Sequence, residues 1–92
     1  MTKIAYTVKI RGKVTGVAFR WSAKAFADKL PSICGYIKNN SCFEVEAFIQ
    51  GDKNEIEKFL QFLRKGPVAA RVNEFLLSDS PLSKVYKNFS IK

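Results

Sequence analysis

Hydrophobic and polar residues alternate over the first stretch of the chain. A period of two is typical of a strand with one buried face, so we predict a strand over residues 4–10. The apolar residues that would share its buried face are Ile4, Tyr6, Val8 and Ile10. After a glycine-containing loop the period becomes helical, and Pro31 stops it. We therefore predict a helix over residues 20–30, with an apolar stripe of Ala23, Phe26, Ala27 and Leu30.

Two further strand-like runs, GYIKN (35–39) and FEVEAFIQ (43–50), are separated by a short polar junction, Asn40-Ser41-Cys42. This pattern is typical of a β-hairpin. Alternation predicts one buried face formed by Phe43, Val45, Ala47 and Ile49. It places Glu44, Glu46 and Gln50 on the opposite, wet face.

The stretch GDKNEIEKFLQFLRKGP (51–67) has the clearest helical period in the chain. Asp52 can cap the helix and Glu55 stands in the capping-box position, while Lys65 and Gly66-Pro67 end it. The apolar stripe would consist of Ile56, Phe59, Leu60 and Leu63. Residues 71–77 and 85–91 read as strands around the turn SDSPLSK.

The order of elements is strand, helix, strand, strand, helix, strand, with a possible fifth strand. It predicts an α+β ferredoxin-like (βαββαβ) sandwich, in which an antiparallel sheet of four to five strands carries both helices on one face. We expect a single domain over residues 1–92. This fold class hosts enzymes and RNA-binding proteins alike, so it does not specify a function.

Charge and cysteine content restrict the classes of partner and of metal site that this chain could have. The 92 residues carry 16 Lys+Arg against 8 Asp+Glu, a net charge of +8, which favours an anionic partner: nucleic acid, a membrane surface or a phosphorylated small molecule. No apolar run is long enough to cross a bilayer and no signal-like segment begins the chain, so we expect a soluble, cytoplasmic protein and a monomer. Without histidine, Cys34 and Cys42 cannot complete a usual zinc site, and we interpret both as reduced structural thiols.

The segment GKVTGVAFRW (12–21) connects the first strand to the first helix. Gly12 and Gly16 let such a loop turn its backbone N–H groups toward one point, which makes a nest for an anion at the helix N-terminus. Arg20 could add a planar two-pronged donor to the same anion. The spacing alone leaves open a simpler interpretation, in which the glycines only permit a turn and Arg20 pairs at the surface, for example with Asp79.

The residues that are missing restrict the chemistry. With no histidine there is no imidazole acid or base. Neither cysteine is followed six residues later by the arginine of a cysteine phosphatase, and no aspartate pair marks a phosphorylated nucleophile. A phosphate nest, an arginine and a polar side chain that holds water remain. Because a carboxylate leaves unprotonated, this set suits acyl phosphates better than phosphate esters.

Two motifs resemble those of the acylphosphatase family. GKVTGVAFR resembles the family's phosphate loop, and Gly35-Tyr36-Ile37-Lys38-Asn39 resembles its second signature; GPVAARV (66–72) is similar to its loop before the fourth strand. The resemblance implies hydrolysis of acyl phosphates to a carboxylate and phosphate, with no cofactor, metal or covalent intermediate. It implies that Arg20 binds the phosphoryl group and that Asn39, rather than Asn40, orients water. The loop residues that would bind phosphate through their N–H groups are Lys13, Val14, Thr15, Gly16, Val17, Ala18 and Phe19.

The chain departs from that family at a few positions. Thr15 replaces a common glutamine, the stretch between Arg20 and Asn39 is one residue longer, and Cys42-Phe43 replaces a common aspartate-glycine turn. We expect this turn to have a different shape, because phenylalanine tolerates the left-handed conformation poorly. The changed turn leaves open an acylphosphatase-like protein that binds an anion without turnover. The net charge of +8, on a fold class that includes RNA-binding domains, leaves open a nucleic-acid-binding module. The carboxylates of the 43–50 strand argue against the module. We also expect Phe19 and Trp21 to support the core or the loop.

Overall fold

The computed structural model describes residues 3–16, 18–80 and 86–92. Its seven elements follow the predicted order, with the fifth strand present. In chain order they are β1 (Lys3–Lys13), α1 (Phe19–Ala27), β2 (Cys34–Ser41), β3 (Glu44–Asp52), α2 (Lys53–Lys65), β4 (Arg71–Asp79) and β5 (Phe89–Ile91). The α+β ferredoxin-like class predicted from the sequence is confirmed.

The five strands form one mixed sheet in the order β4-β1-β3-β2-β5. Strand β1 lies between β3 and β4 and is antiparallel to both, and β2 is antiparallel to β3. Strand β5 differs from the expected antiparallel arrangement because it runs parallel to β2. The reason is topological. Strands β4 and β5 are the two edges of the sheet, and β5 begins at the end of the sheet where β4 finishes. Strand β5 therefore runs in the same direction as β2.

The core lies between one face of the sheet and the two helices. Phe26 joins them by stacking against Phe62 at 4.8 Å between ring centroids, and Phe59 meets Phe89 edge-on at 5.2 Å. The fully buried side chains come from all the predicted faces: Val8, Ile10, Ile37, Val45, Ala47 and Ile49 from the sheet, and Phe19, Ala23, Ile56, Phe59 and Leu63 from the helices. Burial of this apolar surface is the main stabilising contribution.

Two residues of the predicted hairpin lie elsewhere than alternation places them. Phe43 precedes β3 and is 58% exposed, so it is not part of the buried face. Gln50 is buried on the face predicted to be wet, and its side-chain oxygen accepts from the Tyr86 N–H at 2.8 Å. A contact with Tyr86, a residue distant in the chain, therefore lies at a position that strand alternation marks as exposed.

The helix ends also differ from the patterns that predicted them. Helix α1 spans Phe19–Ala27, and turns rather than helix occupy the residues before and after Pro31. Asp52 caps α2 by accepting from the Asn54 N–H at 3.0 Å. Glu55 does not close the capping box; its carboxylate accepts from the N–H and Oγ of Ser32, at 2.8 and 2.6 Å. Glu55 thus holds the α1–β2 connection against α2.

The last predicted strand is shorter than its pattern. β5 covers Phe89–Ile91, whereas the prediction extended over 85–91, and β4 continues to Asp79. Residues 81–85, which include most of the predicted SDSPLSK turn, lie outside the described residues, as does Val17.

Candidate active site

The three loops that contain the predicted site motifs lie at one end of the sheet. Because β1 and β2 both run toward this end and are antiparallel to β3 and β4, the β1–α1 loop, the β2–β3 turn and the α2–β4 loop meet there. Two surface grooves, of about 380 and 440 Å³, lie at the opposite end, the first beside Lys3 and Asp79 and the second beside Pro31 and Asp52. Neither groove is lined by Arg20 or Asn39.

The β1–α1 loop contains two described residues with positive φ. Gly16 has φ +70°, and Ala18 is left-handed at φ 59°, ψ 27°. An alanine in this conformation is strained by about 1–2 kcal/mol, and such strain in non-glycine residues clusters at functional sites. Residues of this kind occur in anion-binding nests, where successive N–H groups turn toward one point. Val14 and Phe19, each 1% exposed, anchor the loop at its two ends.

The N-terminus of α1 follows this loop directly. The Ala18 carbonyl accepts the first helical bond, from the Ser22 N–H at 2.9 Å. In the described part of the chain, no side chain caps this end, and its first turn contains no acidic residue. The positive end of the helix dipole is therefore uncompensated on the side that faces the loop.

The loop is attached to its neighbours on both sides. The Gly12 N–H donates to the Phe43 carbonyl at 2.9 Å, and Thr15 Oγ1 donates to the Cys42 carbonyl at 2.6 Å. On the other side Gly66 lies against the Phe19 ring. The β1–α1 loop is thus held between the β2–β3 turn and the α2–β4 loop.

Arg20 lies in the first turn of α1, half-buried, directly after this loop. Its Nη1 is 3.5 Å from the main-chain oxygen of Lys92, a long contact, and no described Asp or Glu side chain forms an ion pair with it. Asp79, the surface partner considered from the sequence, is paired with Tyr6 at the far end of β1. The guanidinium therefore keeps donors for a ligand.

Asn39 lies near the end of β2, opposite Val45 and exposed. It follows Ile37 by two residues, about 7 Å, on the face of the sheet that the helices cover. Lys92 joins this strand to Arg20, since its N–H donates to the Ile37 carbonyl at 2.9 Å and its carbonyl accepts from Arg20. Arg20 and Asn39 are brought to the same corner of the molecule. The Asn39 amide has no hydrogen-bond partner among the described residues.

Asn40 points to the other face of the sheet. Its Nδ2 donates to Glu44 at 2.8 Å and to Glu46 at 3.1 Å. The Asn40 bond, followed by the one from Arg11 at 2.7 Å, lowers the pKa of Glu44. For Glu46, burial acts upward, but the bonds from Asn40 and Tyr36 outweigh it and lower the pKa. Asn40 is therefore engaged in a structural network of carboxylates away from the loop.

The β2–β3 turn is a two-residue connection, Cys42-Phe43, between the paired residues Ser41 and Glu44. Among the described non-glycine residues, Ala18 alone has a positive φ, so Phe43 avoids the left-handed conformation, as predicted. A register shift between Asn39 and Ser41 accommodates the turn instead. Cys42 and Cys34 are free thiols, exposed and half-buried respectively.

Of the two aromatics that flank Arg20, only Phe19 has the predicted supporting role. Phe19 is buried, whereas Trp21 is 74% exposed, and its prediction as core or loop support is wrong. Helix geometry explains the difference, because α1 buries Phe19, Ala23 and Ala27, and Trp21 falls on the opposite side.

Sequence reasoning missed the partners that hold the site together. They are the backbone carbonyls of Cys42, Phe43 and Lys92. Every residue carries a carbonyl, so no sequence pattern marks these three. The unusual Thr15 was the available signal, since a hydroxyl in that loop needs an acceptor.

The fold is that of an α+β ferredoxin-like protein, with a candidate anion site at the loop between its first strand and first helix. A family model described as Acylphosphatase matches residues 6–91. The chain belongs to the acylphosphatase family, and the resemblance drawn from the two motifs is confirmed.

Individual relatives support the same assignment. An acylphosphatase of Paraburkholderia xenovorans (strain LB400) is 39% identical over 84 residues, covering 91% of this chain and 86% of that protein. The structure of an acylphosphatase from Coxiella burnetii matches with a TM-score of 0.90 at 29% identity, covering 98% of this chain and 93% of that one. The acylphosphatase from Bacillus subtilis gives a TM-score of 0.89 at 27% identity, covering 97% and 98%. In the described part of the chain, no helix is long and apolar enough to span a bilayer.

Proposed function

We propose that this chain hydrolyses the carboxyl-phosphate bond of small acyl phosphates, with Arg20 binding the phosphoryl group and Asn39 orienting the attacking water. The observation that supports the proposal is that Arg20, whose one contact is long, and Asn39, whose amide has no partner among the described residues, both lie at the end of the sheet that carries the loop with the left-handed Ala18. Membership of the acylphosphatase family supports the activity. The phosphate-binding groups are the N–H groups of residues 13–19.

The reaction follows from these groups. The phosphoryl oxygens accept from the loop N–H groups and from Arg20, which exchanges its long contact with Lys92 for a two-pronged contact with the substrate. Asn39 holds a water in line with the leaving carboxylate. As the loose transition state spreads charge over the equatorial oxygens, the preorganised donors stabilise it. Attack of water on phosphorus breaks the bond to the carboxylate, which departs unprotonated because its conjugate acid has a pKa of about 4.

The remaining expectations belong to the same proposal. We propose a single domain over residues 1–92 that works as a cytoplasmic monomer without cofactor, metal or obligatory nucleic acid. The two grooves at the opposite end of the sheet are not part of the proposed site. We propose that binding depends mainly on the phosphoryl group.

The experiment is hydrolysis of benzoyl phosphate in the presence of a metal chelator. Arg20→Ala should lower kcat/KM by more than about 100-fold while leaving the unfolding midpoint within about 2 °C, because Arg20 makes only one long contact. Arg64→Ala is the matched control: Arg64 lies over the Phe75 ring at 4.4 Å, on α2, and its loss should leave activity within about twofold. A wild-type rate in Arg20→Ala would overturn the proposal.

A second candidate, an anion-binding protein without turnover, is favoured by one observation: Cys42-Phe43 changes the turn next to Asn39. It predicts that inorganic phosphate raises the unfolding midpoint of the wild type while benzoyl phosphate stays intact. A nucleic-acid-binding role is less favoured, because the open-face rings of Tyr36 and Phe48 already pack against Tyr86. Salt-dependent binding of single-stranded RNA would revive it.

A further inference from the structure

The phosphate loop and the β2–β3 turn are joined by hydrogen bonds to two consecutive carbonyls. The Gly12 N–H donates to Phe43, as any residue but proline could at that position. The second bond depends on a side chain, because Thr15 Oγ1 donates to the Cys42 carbonyl at 2.6 Å. Thr15 is half-buried and Cys42 is exposed, so the bond lies at the surface, at the mouth of the candidate site.

Asn39 depends on this turn for its position. It lies three residues before Cys42, its side chain has no partner among the described residues, and β2 changes register directly after it. Residues 39–43 are all exposed, so packing does little to fix them. The distance between the Asn39 amide and the phosphate loop is therefore determined by where the turn is held.

We infer that Thr15 is a positioning residue whose hydroxyl holds the β2–β3 turn against the phosphate loop and thereby fixes Asn39 relative to the bound phosphoryl group. The inference rests on the proposed function. It assigns to the Thr15 side chain a role separate from the N–H that this residue contributes to the loop. The hydroxyl affects the position of the attacking water and not the binding of the phosphoryl group.

This role has a kinetic signature. Asn39 contacts the attacking water, so displacing it weakens an interaction made in the transition state and lowers kcat. The nest of N–H groups and Arg20 would be unchanged, so the inhibition constant of inorganic phosphate should stay the same. A hydroxyl that merely stabilised the fold would change neither constant well below the unfolding temperature.

The test replaces Thr15 with valine, which keeps the shape and removes the donor. We expect kcat for benzoyl phosphate to fall about fivefold to tenfold, as the loss of one modest hydrogen bond implies, with the phosphate inhibition constant within twofold. Thr15→Ser restores the hydroxyl and should recover most of the lost kcat. Thr7→Val is the matched control, because Thr7 Oγ1 forms a hydrogen bond of the same length, 2.6 Å, with Ser80 Oγ. Thr7 lies about 20 Å along β1 from the end of the strand that carries the phosphate loop. Its kcat should equal that of the wild type.

Each other outcome overturns the inference. If Thr15→Val raises the phosphate inhibition constant and leaves kcat intact, the hydroxyl shapes the phosphate loop only. If only the unfolding midpoint falls, as for Thr7→Val, its role is structural. If neither the wild type nor Thr7→Val hydrolyses benzoyl phosphate, the proposed function itself is wrong. The wild-type assay therefore distinguishes failure of the proposed function from failure of the inference about Thr15.

Discussion

Asn39 and Asn40 are neighbours on β2 but lie on opposite faces of the sheet. The Asn40 amide is bound to Glu44 and Glu46, at 2.8 and 3.1 Å, whereas the Asn39 amide has no partner among the described residues. Two chemically identical side chains therefore have different surroundings, one structural and one available to a ligand.

This pair provides a matched test of site and scaffold. We expect Asn39→Ala to lower kcat for benzoyl phosphate at least about 100-fold with an unchanged urea midpoint, because the side chain supports only the reaction. Asn40→Ala should keep activity within about twofold. The reverse assignment of the two effects would show that Asn40 holds the water.

Asn40→Ala should also change the dependence of stability on pH. The pKa of Glu44 and that of Glu46 are lowered in the folded protein, so both carboxylates stabilise the fold above their unfolded pKa, and this contribution is lost as the pH falls through the folded values. Urea midpoints of wild type and Asn40→Ala should differ at pH 7 and converge in acid, as both carboxylates become protonated in the folded protein. A difference in urea midpoint that does not change with pH would contradict the view that Asn40 stabilises the fold through Glu44 and Glu46.

Ala18 should show a gain in stability on mutation to glycine. Its left-handed conformation, φ 59°, suits glycine, so Ala18→Gly should raise the free energy of unfolding by about 1 kcal/mol. The matched change Ala25→Gly, at an exposed position inside α1, should lower it by about 1 kcal/mol. Denaturant unfolding measures both, and effects of the same sign would contradict the strained conformation of Ala18.

Gly66 should tolerate alanine less well than Gly16. Both have φ near +70°, but a Cβ at Gly16 would meet nothing within 4 Å, whereas one at Gly66 would lie 2.7 Å from Phe19 Cε2. Gly66 also has ψ −179°, a backbone conformation that is essentially restricted to glycine. We expect Gly16→Ala to cost about 1 kcal/mol and Gly66→Ala about 3 kcal/mol or more, because backbone strain and a clash with a core ring add at Gly66. Equal losses in denaturant unfolding would contradict the tight surroundings of Gly66.

Tyr36 should make the protein sensitive to strong alkali. Burial, together with its hydrogen bond to Glu46, raises the pKa of Tyr36 to about 12. The unfolded chain releases this proton near pH 10, so the contribution of Tyr36 is complete below pH 10 and is lost as the pH rises toward 12. The free energy of unfolding of the wild type minus that of Tyr36→Phe should therefore fall over pH 9–12. A flat difference would contradict the raised pKa.

The sequence predicts the parts of this molecule that depend on local periodicity. Element order, the buried faces of β1 and β3, and the stripe of α2 follow from spacing alone. The parallel pairing of β5, the burial of Gln50 and the bond from Ser32 to Glu55 do not, because each depends on a contact between segments distant in the chain.

The candidate site divides in the same way. The motifs predict Arg20 and Asn39 as site residues because the proposed chemistry needs particular side chains. The acceptors that join the neighbouring segments are main-chain oxygens, at Cys42, Phe43 and Lys92, whose contacts depend on backbone geometry. Trp21 shows the limit of reasoning from residue type, since a large aromatic beside the loop lies in solvent.

The central position of β1 has a consequence for how the chain folds. Val8 is paired with Ala47 and with Leu77, about 40 and about 70 residues later in the chain. Closing such long loops costs entropy before either pairing stabilises the sheet, and folds rich in distant contacts form slowly. The β1–α1 loop, to which we assign phosphate binding, leaves from the end of this strand, so recovery of hydrolysis after dilution from denaturant should report the moment at which β1 is enclosed between its two partners.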